Sequence, residues 1–209
     1  MIVIVDYGLG NLRSIQNMLR KIGVSSEISG EREVIAAASR LLLPGVGHFA
    51  YGMERLHERG LTDLLRQRAL DARVPVLGIC LGAQLLGRHS QEGDCEGLGL
   101  VAMDTIAFDR SRLGPGDKVP HMGWAETSHT GHPLFADMPG EPLAFYHVHS
   151  YHFACDTTET VICEAQHGYR FASGVQAGNV IGVQFHPEKS HVFGSQLLRN
   201  WAAMEFAAP

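Results

Sequence analysis

The chain has 209 residues, 45% of them apolar and 19% charged, with a formal net charge of −5 from 17 basic and 22 acidic side chains. That balance excludes intrinsic disorder, leaves no basic stripe for nucleic-acid phosphates, and offers no run approaching the roughly 18 apolar residues of a membrane span. Four scattered cysteines, Cys80, Cys95, Cys155 and Cys163, form neither a CxxC metal knuckle nor a disulfide framework, so free thiols in a reducing cytoplasm are expected.

Ile2-Val3-Ile4-Val5 is a short β-branched run, as expected of a central strand buried on both faces, and it stops at Asp6, far short of a secretory h-region. After Asp6-Tyr7-Gly8-Leu9-Gly10 a helical stripe of Leu12, Ile15, Leu19 and Ile22 begins at Asn11 and ends at Gly23. The unit repeats with a strand over 24–28, a helix over 31–38, a strand at 41–43, the turn Pro44-Gly45-Val46-Gly47, and helix to about Asp71. A fourth strand over 74–79 leads through Cys80 into a helix over 81–88. This alternation predicts an α/β fold with an open, mostly parallel central sheet and helices on both faces.

Beyond Glu92 the pattern changes to shorter β-like runs over 99–108, 143–154 and 161–165, which should add antiparallel strands. Segments 171–176 and 180–185 read as a hairpin across Ala177-Gly178-Asn179, and a helix is expected over 192–206. With no internal repeat, the whole of 1–209 is expected to form one domain.

Gly78-Ile79-Cys80-Leu81-Gly82 has the spacing of a G-x-S-x-G nucleophile elbow with sulfur in place of oxygen. A sharp strand-to-helix turn crowds the backbone, so the flanking positions need glycine. The helix N-terminus favours a thiolate and offers the Leu81 N–H to a developing oxyanion. A buried structural cysteine is the plainer alternative. His186-Pro187-Glu188, delivered by the run Val180 to Phe185, supplies a base and its orienting carboxylate, which completes a nucleophile, base and orienter set. Pro44 to Gly47 also follows a strand, so its amides should reach the carboxyl edge of the sheet, where Gly45, Val46 and Gly47 are candidates for a second oxyanion donor.

Two other patterns are set aside. His147-Val148-His149-Ser150-Tyr151-His152 has metal-like H-x-H spacing but no carboxylate within the motif and an aromatic, packed neighbourhood, so no metal is assigned. Gly8-Leu9-Gly10-Asn11 lacks the third glycine and downstream acid of a dinucleotide fingerprint, and no organic cofactor is expected.

In combination the chain resembles the class I glutamine amidotransferases, and within them the glutaminase subunits of imidazole glycerol phosphate synthase. The segments that carry the resemblance are Asp6-Tyr7-Gly8-Leu9-Gly10-Asn11, Leu43 to Gly47, Gly78 to Leu86, Lys118-Val119-Pro120-His121-Met122-Gly123-Trp124, His149-Ser150-Tyr151 and Gln184 to Ser190. The resemblance implies Cys80 as nucleophile, His186 as general base and acid, and Glu188 as its orienter. It implies glutamine as substrate, in a pocket lined by Gly47, Gln84 and Glu92 beside His149, Ser150 and Tyr151. It also implies a (β/α)8-barrel cyclase partner, forming a heterodimer that receives the ammonia for histidine biosynthesis, with Asn11, Trp124 and Lys189 facing it. Ala125 replaces a usual asparagine near the expected interface, and Ala83 stands where methionine is frequent. Three alternatives remain open from sequence: a paralogous glutaminase feeding another acceptor, a thiol hydrolase on the same elbow, and a binding subunit with an inert cysteine.

Overall fold

The computed structural model describes residues 1–206. The first half alternates as β1 (Ile2–Val5), α1 (Leu12–Lys21), β2 (Ser26–Ser29), α2 (Arg32–Ala36), β3 (Arg40–Gly45), α3 (Phe49–Glu58), α4 (Thr62–Leu70), β4 (Val76–Cys80) and α5 (Leu81–Leu85). The second half is mostly strand: β5 (His89–Ser90), β6 (Cys95–Glu96), β7 (Met103–Ala107), β8 (His121–His129), β9 (Ala144–His149), β10 (Tyr151–Cys155), β11 (Val161–His167), β12 (Tyr169–Ala177) and β13 (Val180–Val183), closed by α6 (His191–Ala203).

The main sheet runs β2-β1-β3-β4-β13-β12-β10-β7-β5-β6, with β11 joining β12 to β8 and β8 pairing with β9. Its first five strands are parallel and the strands beyond them are largely antiparallel, as expected. Side-chain alternation sends Val3, Val5, Leu41 and Leu43 to one face, under Ile35 of α2, Phe49 and Leu56 of α3 and Leu64 and Leu65 of α4. Ile2, Ile4, Leu42, Leu77 and Ile79 point to the other, under Ile15 and Leu19 of α1 and Leu197, Leu198 and Trp201 of α6. Both faces of β1, β3 and β4 are therefore dry, which is why these strands read as unbroken apolar runs. The hairpin of β12 and β13 pairs Ala177 with Val180 and lays β13 alongside β4, so Val183 sits level with Ile79.

Several boundaries differ from expectation. The helix expected up to Asp71 is two, because Gly60 adopts φ +62 and its N–H closes onto the His57 carbonyl. The helix after Cys80 stops at Leu85, where Leu98 N–H donates to the Leu85 carbonyl and Arg88 N–H to that of Met103, drawing the chain toward β7. The run over 143–154 is two strands in different places. It breaks at Ser150, whose carbonyl accepts the Phe108 N–H; β9 pairs with β8, while β10 pairs with β7 and β12. Strand β8 escapes a hydrophobicity reading because its alternation is inverted: His121, Ala125 and Thr127 point inward and Met122 and Trp124 outward. For the same reason Ala125, next to exposed Trp124, is buried against Phe108, Ala165 and Phe171.

Candidate active site

Cys80 closes β4 and opens α5 with φ 54 and ψ −113, a conformation that costs a side-chain-bearing residue energy and holds the thiol out of the strand. The positions two residues to either side, Gly78 and Gly82, must lack a Cβ. One on Gly78 would lie 2.6 Å from Ala83 Cα, and one on Gly82 would collide with the Leu43 carbonyl. Gly45, opposite Cys80 in the β3–β4 register, is equally closed in, with Tyr7 Oη 2.5 Å and Gly82 N 2.8 Å from where a Cβ would stand. The elbow and the end of β3 are thus pressed together at Gly82 and Gly45, while Gly78 is closed in by Ala83 of α5.

His186 follows β13. Its N–H donates to the Tyr146 carbonyl (2.9 Å), and the Ser190 hydroxyl donates to the His186 carbonyl (2.7 Å) while accepting the Tyr146 N–H (3.0 Å). His186 is in this way fixed to β9 by its main chain. Nδ1 of His186 lies 2.8 Å from Glu188 Oε1, and both side chains are 1% exposed. The carboxylate can only accept, so Nδ1 carries a proton in either charge state and Nε2 is the nitrogen left to exchange one. Nε2 has no hydrogen bond of ordinary geometry. Burial opposes charge on His186, but the Cys80 sulfur and then Glu188 outweigh it and raise its pKa to about 9. With Nδ1 held by Glu188, the neighbouring Cys80 sulfur favours the imidazolium.

A cavity of about 240 Å³ opens over the sulfur, and Val46, Gly47, Cys80, Leu81, Gln84, Glu92, His149, Ser150, Tyr151 and His186 all line it. Gly45 and Glu188 lie just behind, against Cys80 and His186 respectively. The catalytic and pocket residues expected from sequence are in this way brought to one place. Glu92 Oε2 accepts the Phe49 N–H (2.8 Å), which puts a carboxylate at the first turn of α3 immediately after the Gly47 loop. Val46 and Gly47 are exposed, and Gly47 takes φ +114, which only glycine adopts without strain.

Other residues at the site were not singled out from sequence. Pro120 and Val148 add to the cavity wall. Gln184, fully buried, accepts from Gln84 Nε2 (3.0 Å) and turns its own amide toward Cys80 Sγ (3.8 Å). Tyr7, also fully buried, donates to the Pro44 carbonyl (2.8 Å); burial, and then the neighbouring Cys80 charge, push its pKa far above the ordinary value, so it remains a neutral donor. Both belong to motifs noted in the sequence, but nothing in their spacing announces the contact.

The three positions expected to face a partner lie around the rim. Trp124, 48% exposed, stacks on His191 (5.4 Å, 12°) and meets Tyr146 edge-on, while Lys189 Nζ sits 5.6 Å from the Tyr146 ring centre. Asn11 is exposed at the head of α1 and its carbonyl accepts the Ser14 and Ile15 N–H groups. Exposed Met122 and Val192 flank the aromatic cluster.

The model of the family "glutamine amidotransferase class-I" matches residues 3–204. The chain belongs to the class I glutamine amidotransferases. An imidazole glycerol phosphate synthase subunit HisH 2 of Pseudomonas aeruginosa is 43% identical over 98% of this chain and 100% of its own, and a HisH subunit of Sulfurimonas denitrificans is 45% identical over 96% and 97%. Among solved structures, one titled as a glutamine amidotransferase superposes with a TM-score of 0.71, covering 96% of each chain at 19% identity. This class I amidotransferase thus aligns over nearly its whole length with HisH subunits and shares its fold with the solved amidotransferase. Among the described residues, no helix is long and apolar enough to cross a membrane.

Proposed function

We propose that the chain is the glutaminase subunit of an imidazole glycerol phosphate synthase, releasing ammonia from glutamine at Cys80 for a (β/α)8-barrel cyclase of histidine biosynthesis. The observation that carries the chemistry is the convergence of a strained elbow thiol and a buried His186–Glu188 pair on one cavity. The pathway rests on the near-full-length identity to HisH subunits.

In this reading the Cys80 sulfur attacks the side-chain amide carbon of glutamine. The tetrahedral oxyanion is held by the Leu81 N–H and an N–H of the Gly45 to Gly47 loop. His186, protonated at Nε2 and steadied by Glu188, gives that proton to the departing ammonia, which leaves a thioester. Water, losing a proton to the same nitrogen, then displaces glutamate and regenerates the thiol–imidazole pair. Glu92 and Gln84 fix the glutamine, and neither a metal nor an organic cofactor has a part in these steps.

A glutaminase working alone would waste ammonia, so turnover is gated: the exposed Val46–Gly47 segment, next to Glu92 and α3, reorients an N–H into the cavity when the loaded cyclase docks. Asn11, Trp124 and Lys189 contact the cyclase, and ammonia passes from the cavity into the barrel without meeting solvent. The chain acts as one domain, in the cytoplasm, as half of a heterodimer. Glutamate release by the purified chain, measured with its genomic barrel partner and with or without the ribonucleotide substrate, tests the whole reading. Strong stimulation by the loaded partner is expected. Full turnover by Cys80→Ala would overturn the chemistry, and indifference to the partner would overturn the pathway.

A further inference from the structure

Beside the glutamine cavity lies a second cluster that the glutaminase chemistry does not use in full. In the antiparallel pair of β8 and β9, His121 stands opposite His149, and His147 lies two residues from His149 on the same inward face. The side chain that would cover His147 is missing because its partner is Gly123. The His121 ring therefore leans across and stacks on His147 (4.9 Å, 19°). Each of the three imidazoles offers one ring nitrogen, and these nitrogens lie within 4.8 Å of one another.

Tautomers follow from the partners. His149 Nδ1 lies 2.7 Å from the Tyr151 carbonyl, which can only accept, so Nδ1 carries the proton and Nε2 presents a lone pair. That lone pair faces His147 Nδ1 at 3.0 Å. Two nitrogens bound to one tetrahedral zinc at about 2.0–2.1 Å would stand roughly 3.3 Å apart, close to this separation. Moving the His147 proton to Nε2 turns Nδ1 into a ligand with no change in charge. His121 Nδ1 is buried without a hydrogen-bond partner, an uncommon state for buried polar nitrogen. Phe108 and Phe171 pack around the rings, while the His121 side stays open and can supply water as a fourth ligand.

We propose that His121, His147 and His149 form a binding site for one borderline divalent transition-metal ion, with Zn2+ as the fitting occupant. Three imidazoles with no thiolate or carboxylate suit Zn2+, Co2+ or Ni2+ and disfavour Mg2+ and Ca2+, which need oxygen ligands. His121 stands at the edge of an open hollow lined by Lys118, Val119, Pro120, Met122 and His167, which gives the ion a path in. The Tyr151 carbonyl that fixes the His149 ring is the outer partner such sites use to orient a ligand.

The test is a Co2+ titration of the full chain carrying Cys80→Ala, so that the reactive thiol cannot capture the ion. One equivalent should bind with the visible absorption of low-symmetry four-coordinate Co2+, and equimolar Zn2+ should abolish it. His147→Phe and, separately, His121→Leu should each weaken binding at least about tenfold, the loss that even outer-shell substitutions bring. Far-UV circular dichroism checks that each variant folds, and His147→Gln serves if His147→Phe does not. Absence of the absorption at saturating Co2+, or absorption unchanged in both variants, would overturn the proposal.

Discussion

Cys163 is buried and its thiol is pushed up to about 12, chiefly by burial, against the opposing hydrogen bond from Ser173. Cys155 is raised to about 11, again by burial first and by Asp156 second. Only the thiolate reacts appreciably. Brief iodoacetamide treatment at pH 8 should therefore leave Cys155 and Cys163 unmodified, while a glutamine-analogue electrophile should mark Cys80 alone, as peptide mass mapping would reveal. Modification of Cys163 ahead of Cys80 would contradict the assignment of the reactive thiol. His186 carries a second expectation. Its folded pKa of about 9 exceeds the roughly 6.5 of the unfolded chain, so the stability it contributes is fully present below about pH 6.5 and is lost as pH rises through 9. The gap in thermal midpoint between wild type and His186→Gln should shrink over that interval; a gap constant from pH 6 to pH 10 would count against the imidazolium.

Strands and turns set these groups in place, and one turn can be tested in isolation. Asn179 ends the hairpin turn at 5% exposure, and its Nδ2 donates to the Ala69 carbonyl (2.9 Å) and the Val74 carbonyl (2.8 Å), fastening the β12–β13 turn to the end of α4 and the entry of β4. Asn179→Ala would strand two buried acceptors, at about 1–3 kcal/mol each at most, and a matching fall in the urea midpoint with an unchanged slope would confirm the bolt. A loss below about 0.5 kcal/mol would show that water replaces it. This scale also explains what the sequence could reveal. β1, β3, β4 and the elbow were legible because burial on both faces writes an apolar run and a tight turn writes glycine. β8 was not, since its inward side carries His121 and Thr127 and its outward side Met122 and Trp124. With that strand hidden, the H-x-H pair on β9 was set aside for want of a carboxylate, and His121 of β8, which reaches it only through strand pairing, went unnoticed. Tyr7 and Gln184 were opaque for a related reason: each reaches the site across 37 and 104 positions of chain respectively, a closeness no local pattern encodes.

At the level of the whole molecule, the parallel half of the sheet delivers the Cys80 cavity at its carboxyl edge, where crossing connections leave room for ligand in open α/β sheets. The antiparallel half adds the β8–β9 layer on the same edge. Trp124 and Met122 rise from that layer, and Lys189, His191 and Val192 rise from the segment that follows His186. An apolar, aromatic rim directly beside a catalytic cavity has a cost in solvent and little value to the isolated fold, because Trp124 is half exposed and Met122 more so. The cost is recovered only if another surface covers it, and central aromatic side chains usually contribute most of such binding. Trp124→Ala should accordingly leave the thermal stability of the free chain within about 0.5 kcal/mol, as for most surface substitutions, yet weaken association with the proposed cyclase partner by roughly 30-fold, the loss of about 2 kcal/mol expected at a hot spot. Titration calorimetry with the partner reads the affinity, and glutamate release at saturating partner reads the coupling. Because saturation restores docking, stimulated turnover should return toward wild type at high partner concentration if Trp124 only binds. If turnover stays low with the complex fully formed, Trp124 also transmits the signal through His191 and the adjoining Glu188–Lys189 turn to His186, and the rim is part of the switch.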